Sequence, residues 1–333
     1  MTNFDDMRLA VEALSGGKNT VRLDDLGMPS VLVPFPRLNY SDVIAGGAQE
    51  PLPAFVVGGR TLEVIHVSKY HNIIVNDRAY SLPMKDPAAS LTFDRADIVS
   101  RNKGAGWHLL TNALWAAIAL WCRRNGTMPN GNNRHGADHA NAHERGVPST
   151  TPDANGTRRT ATGSGPVTWY HNWSDSGIAD LNGNVWDWVS GLRLMGGEIQ
   201  IIPYGNAMRH DCNMSPTSTE WRAIMPDGTL VAPGTAGTLR ITQTSVGFHA
   251  VTTTPAAAGG AHMLEALGIL PHPGQTAASY GSDHFWANLA DERLPRRGGG
   301  WDSTASAGVF ALHLRHLRSL VSTHVGFRAA FFE

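Results

Sequence analysis

The stretch "RRGGGWDSTASAGVFALHLRHLRSLVSTHVGFRAAF", residues 296–331, interleaves two kinds of sequence. One is an apolar frame of Trp301, Phe310, Leu312, Leu314, Val325, Phe327 and Phe331. The other is a scatter of mostly polar residues: Asp302, Ser303, Ser306, His313, Arg315, His316, Leu320, Ser322, Thr323 and His324. In "ALHLRH" the alternation predicts a strand with Leu312 and Leu314 toward a core and His313 and Arg315 outward, roughly 6.6 Å apart. A backbone held by a packed core lets the outward side chains change without refolding, and binding through them carries little ordering cost.

The rest of the chain sets the frame for that segment. At 333 residues and 42% hydrophobic it can bury a substantial core. Lys plus Arg number 27 against 28 Asp plus Glu, a net charge of -1, so nothing global draws it to nucleic acid or to an anionic membrane. Two cysteines, Cys122 and Cys212, cannot build a disulfide framework. The opening "MTNFDDMRLAVEALSGG" carries acids and no long apolar run, which argues against a signal peptide or membrane insertion.

A short amphipathic helix is predicted near 4–14, stopped by Gly16 and Gly17. "VLVPFPRLNY" and "TLEVIHVSKYHNIIV" read as extended. The strongest helix is "TNALWAAIALWCRRNG", with Thr111 as N-cap, Arg123 and Arg124 near its C-terminal end, and Gly126 closing it. Cys122 then falls in its packed part. Residues 125–166 read as irregular, and 190–295 as short strand-like runs ("EIQIIP", "GTLRITQ"), the turn "MPDGT" and a helical run near 261–269. With 36 glycines, the pattern is that of a loop-rich α+β protein.

Four blocks follow one another: "SKYHNIIVNDRAY" (68–80), "GAGWHLLTNALWAAIALW" (104–121), "GIADLNGNVWDWVSGLR" (177–193) and the segment 296–331. Their order resembles the formylglycine-generating-enzyme branch of the C-type lectin fold, with its GNVWEW turn and closing RGGSW…GFR segment. The resemblance implies an N-terminal helical extension over 1–30 and a C-type lectin-like domain over 31–333, with an insertion at 190–295. It departs from the oxidases of that branch where their chemistry lies. Residues 297–328 contain no cysteine, and Leu110, Asn112 and Leu114 replace the usual Pro, Glu and Glu. A thiolate that binds copper and attacks the substrate thiol has no counterpart there.

The final segment also resembles the variable region of diversity-generating retroelement proteins, whose skeleton reads approximately RGGSW, AGVFAL and GFRAA. In that system template adenines are copied with errors, so an AAC codon becomes any codon ending in C, and Lys, Glu, Gln, Met and Trp cannot arise. None of these types stands at the ten scattered positions. The resemblance makes 297–328 a variable region and those ten residues its ligand-binding set. It further implies a structural calcium ion at the GNVWDW turn, on Asn184 and Asp187 with nearby carbonyls, since hard cations favour such oxygens. No other cofactor is required.

Trp186 and Trp188 read as core. The spacing of His135, His139 and His143 by four suits a zinc-binding helix, but Gly136, Asp138 and the Asn-rich approach favour a loop. The Glu-Pro-Asn and Gln-Pro-Asp triplets of calcium-dependent lectins are absent, so sugar binding does not follow from such a fold. The expectation is a non-enzymatic, diversified receptor-type protein that meets a protein or glycan on a cell surface, as in phage or prophage host recognition. Without a signal peptide, it would be carried on a virion or exported by another route. The competing expectation is a formylglycine-generating or related sulfur-chemistry oxidase.

Overall fold

The computed structural model describes residues 3–333; the first two residues of the expected 1–30 extension lie outside it. The protein is α+β, dominated by two sheets with few helices. The helix Asn3–Leu14 leads into the strand Thr20–Leu23. That strand edges a five-stranded sheet, followed in spatial order by Pro29–Pro36, Val64–Ser68, Ala329–Phe331 and Trp107–Leu109. The C-terminal strand therefore sits inside this sheet, with Ala330 opposite Val67 on one side and His108 on the other.

The second sheet has ten strands. Its path runs Leu230–Val231, Arg222–Ile224, Glu198–Ile201, Leu192–Met195, Glu292–Gly298, Gly308–His316, His284–Ala287 and Ser245–Gly247. Trp186–Trp188 pairs with both Glu292–Gly298 and Val325–Phe327. Residues 190–295 thus supply strands on both flanks of the final segment. "GTLRITQ" is not among them. Leu239, Arg240 and Ile241 donate to Ile224, Thr254 and Gly197, three separate partners, so no neighbour runs alongside to make a strand.

Between the sheets lies the helix Asn112–Asn125. Thr111 Oγ1 accepts from the Leu114 amide at 3.1 Å, and Gly126 ends the helix in the left-handed region at φ 69°. The helix is buried along most of its length, which is why its apolar residues do not keep to one stripe. Trp115 Nε1 donates to the Val309 carbonyl at 2.7 Å, tying the helix to the Gly308–His316 strand. Cys122 is fully buried on this helix. A second core, on the other face of that strand, gathers Trp186, Trp188, Leu294, Ala311, Val325 and Phe327. Among the described residues no helix is long and apolar enough to cross a membrane.

Candidate functional site

The final segment is held at both ends by sheet. After Glu292–Gly298 the chain turns through Gly299, whose φ is 95° and where a Cβ would stand 2.4 Å from that of Ala307. Glycine is required there for the loop 300–307 to close. At Gly308 a Cβ would lie 2.1 Å from the buried Asp283 carboxylate, which accepts from the Phe310 amide at 2.6 Å. From Gly308 the strand is fixed. Trp301, Phe310, Leu312, Leu314, Val325 and Phe327 are all buried, each at most 3% exposed.

None of the ten scattered residues is fully buried. Asp302, Arg315 and Thr323 are exposed; Ser303, Ser306, His313, His316, Leu320, Ser322 and His324 are half-buried. The loop 317–324, between Gly308–His316 and Val325–Phe327, is fastened by the Arg318 side chain, which bonds Glu292, Asp94 and the Met214 carbonyl, and by its backbone. The carbonyls of Arg318, Ser322 and His324 accept from the amides of Phe93, Ser90 and Trp186. Any residue type can supply such a carbonyl. Ser303 and Ser322 add turn-shaping bonds, their Oγ atoms accepting from the amides of Gly300 and His324.

Four of the ten residues form two groups beside Trp186. In the first, the His324 ring lies 3.9 Å from that of Trp301, and its Nδ1 is 3.5 Å from Asp302 Oδ1. The hydrogen bond to His324 is the main reason the Asp302 carboxyl sits below its ordinary value. In the second, His313 packs its ring against Trp186 at 5.3 Å, Trp286 at 5.4 Å and His316 at 5.0 Å. A Cβ on Gly300 would touch both Trp186 and Asp302, so the groups are contiguous across the indole. Trp186 is core, as its sequence suggested, and also the floor of the site.

His313 does not simply project into solvent. The sheet face it points from carries Trp186 and Trp286, and they enclose it. Burial, reinforced by Arg296, pushes its imidazole far below the ordinary histidine value. Burial likewise lowers His316 to about 4, helped by Arg296, Arg293 and Arg315. Both rings are neutral at pH 7 and act as aromatic, hydrogen-bonding surface.

Several residues of this face escaped sequence reasoning. Arg296 stands opposite His313 on one side and Trp188 on the other, with its guanidinium carbon 5.3 Å from the Trp186 ring centre. Its Nη2 donates to His313 Nδ1 at 3.1 Å. Burial alone lowers its pKa to about 9. His284 and Trp286 come from the neighbouring strand, their rings 4.6 Å apart. The alternation in "HFWA", with Phe285 and Ala287 buried and His284 and Trp286 half-buried, was the available signal.

The calcium expected on Asn184 and Asp187 does not fit the donors. Asn184 Oδ1 accepts from the Thr160 amide at 2.9 Å and from Asn132 at 3.3 Å. Asp187 Oδ2 pairs with His71 Nε2 at 3.0 Å and faces the Arg328 guanidinium at 3.8 Å. Asp187 Oδ1 has no partner, but with a guanidinium facing this single carboxylate and the Asn184 oxygen already taken, the donor set is poor for calcium. No group of three or more His, Cys, Asp or Glu able to hold a metal occurs among the described residues. His139, in a loop, shares Asn133 Oδ1 between its amide and its ring nitrogen. Both cysteines are buried and unbridged, and burial pushes their thiols up, Cys212 to about 12, so neither offers a thiolate at neutral pH.

No family model matches this sequence, and no curated protein matches it. Among solved structures, the chain is similar to the Major Tropism Determinant U1 variant at 12% identity and TM-score 0.32, covering 94% of this chain and 71% of that one. The M1 variant gives 12% identity, TM-score 0.34 and the same coverage. Treponema denticola variable protein 1 gives 10% identity and TM-score 0.33, covering 94% of this chain and 98% of that one. The overlap runs along nearly the whole chain and is loose throughout.

Proposed function

We propose that this chain is a non-enzymatic ligand-binding protein of C-type lectin-like architecture. Segment 297–328 presents exchangeable side chains on a fixed backbone, and the partner is a surface component met in host recognition by a phage or prophage. The supporting observation is the partition of burial along one segment. Phe310, Leu312, Leu314, Val325 and Phe327 are sealed into two cores and Trp301 is buried beside them, while none of the ten scattered positions is fully buried. Binding energy can then be rewritten at those positions while folding energy stays in the frame.

The test is a displayed library of the full chain randomised at the ten positions with codons ending in C. Most members are expected to resist protease as the parent does, and selection on an arbitrary folded protein such as lysozyme should yield binders. A library whose members mostly unfold would show that these side chains belong to the core. A folded library that never yields a binder would place recognition elsewhere.

A further inference from the structure

Five arginines of this protein are nearly inaccessible: Arg193, Arg293, Arg296, Arg297 and Arg328. Three are well matched. Arg193 bonds Gln200, the Pro216 carbonyl and Glu292. Arg297 bonds Asn112 and the carbonyls of Leu267 and Gly268. Arg328 bonds three backbone carbonyls.

The other two stand at the proposed binding face and have no carboxylate within hydrogen-bond distance among the described residues. Arg296, 5% exposed, has no carboxylate or carbonyl acceptor among the described residues, only the His313 ring nitrogen, and its Nε has no partner. Arg293 donates from Nη1 to the adjacent Glu292 carbonyl at 3.0 Å, but its Nε is unpartnered and the carboxylate of the exposed Asp291 is 4.0 Å away. Arg315 adds a third guanidinium, bonded only to the Thr244 carbonyl. Arg293 and Arg315 line a hollow of about 280 Å³ with His316, Ser319, Leu317 and Leu320. Arg296 stands behind it, through the stacked rings of His313 and His316.

A buried cation without a counter-charge is costly, and a carboxylate brought by a partner removes that cost through charge-assisted hydrogen bonds. Building on the binding-surface reading above, we infer that this hollow takes an acidic peptide segment of a protein partner, with a carboxylate set between Arg293 and Arg315 and drawn also by the uncompensated charge of Arg296 behind the His313 and His316 rings. A peptide suits the walls better than an acidic sugar does. Leu317, 47% exposed, and Leu320 offer apolar contact to residues flanking the carboxylate. Trp286, the indole a sugar ring would stack on, is already flanked by His284 and His313.

The experiment titrates the full chain with hexaglutamate, hexaglutamine and sialyllactose, following tryptophan fluorescence and, independently, calorimetry. Hexaglutamate should bind saturably and weaken with added salt, hexaglutamine should not bind, and Arg296→Met and Arg315→Met should each lower hexaglutamate affinity at least tenfold. Should Arg296→Met fail to fold, Arg315→Met at the exposed rim carries the test. Equal behaviour of the two peptides, or hexaglutamate affinity untouched by the arginine substitutions, overturns the inference. Arg296-dependent binding of sialyllactose tighter than that of hexaglutamate overturns the choice of a peptide. None of these failures touches the randomised library, whose outcome alone decides the binding-surface reading.

Discussion

His313 is at once one of the ten positions proposed as exchangeable and a packed residue. Its ring touches Trp186, Trp286 and His316, and its Nδ1 is the one hydrogen-bond acceptor that Arg296 has. Substituting it therefore costs more than substituting a free surface residue. His313→Ala should destabilise the protein by about 1–2 kcal/mol, from lost ring contacts and an orphaned guanidinium. Thr323→Ala, at an exposed site whose contribution is a backbone carbonyl accepting from Arg159, should stay within about 0.5 kcal/mol. Urea melts of the two variants measure the difference; equal costs would mean that His313 is not packed as described.

At the scale of elements, the GNVWDW turn separates what sequence could and could not tell. The burial of Trp186 and Trp188 follows from residue type alone, and the caps of the Asn112–Asn125 helix follow from Thr111 and Gly126. The role of Asp187 does not. Its partners, His71 and Arg328, are 116 and 141 positions away, and no local pattern announces such a pairing. The Asp187 side chain at this turn is tied to His71 and Arg328, both far away in the chain. Asp187→Asn should then cost about 3–5 kcal/mol, the penalty for leaving the buried Arg328 guanidinium without its counter-charge. A chelator should leave the melting temperature of the parent unchanged. Chelator sensitivity in the parent that disappears in Asp187→Asn would restore calcium to the turn.

Over the whole molecule, the legible part was the frame and the illegible part was what crosses it. The strand Gly308–His316 could be read from its alternation. That His284 and Trp286 lie beside it in parallel register could not, because the pairing joins segments whose order in the sheet local sequence does not encode. The same long-range closure places several histidines out of water. Burial lowers His108 and His171 to about 3 and His66 to about 4. A histidine whose folded pKa is depressed stays neutral in the native state while the unfolded chain takes up a proton below about pH 6.5. Its contribution is intact above that pH and is lost as pH falls toward the folded value. At pH 5, His108 and His171 should each remove about 2 kcal/mol of stability. Asp283 opposes them: burial raises its carboxyl, so the native state gains a proton there that the unfolded chain does not. Burial raises the Asp97 and Asp180 carboxyls as well, and these three carboxyls stand against six lowered imidazoles, those of His66, His108, His171, His284, His313 and His316, which leaves the balance with the histidines and extends the trend to the proposed binding face. Denaturant melts between pH 7.5 and 5 should show stability falling by several kcal/mol. His108→Gln should flatten that slope. A profile that is level across this window would mean that water reaches these rings and that they are not buried as described.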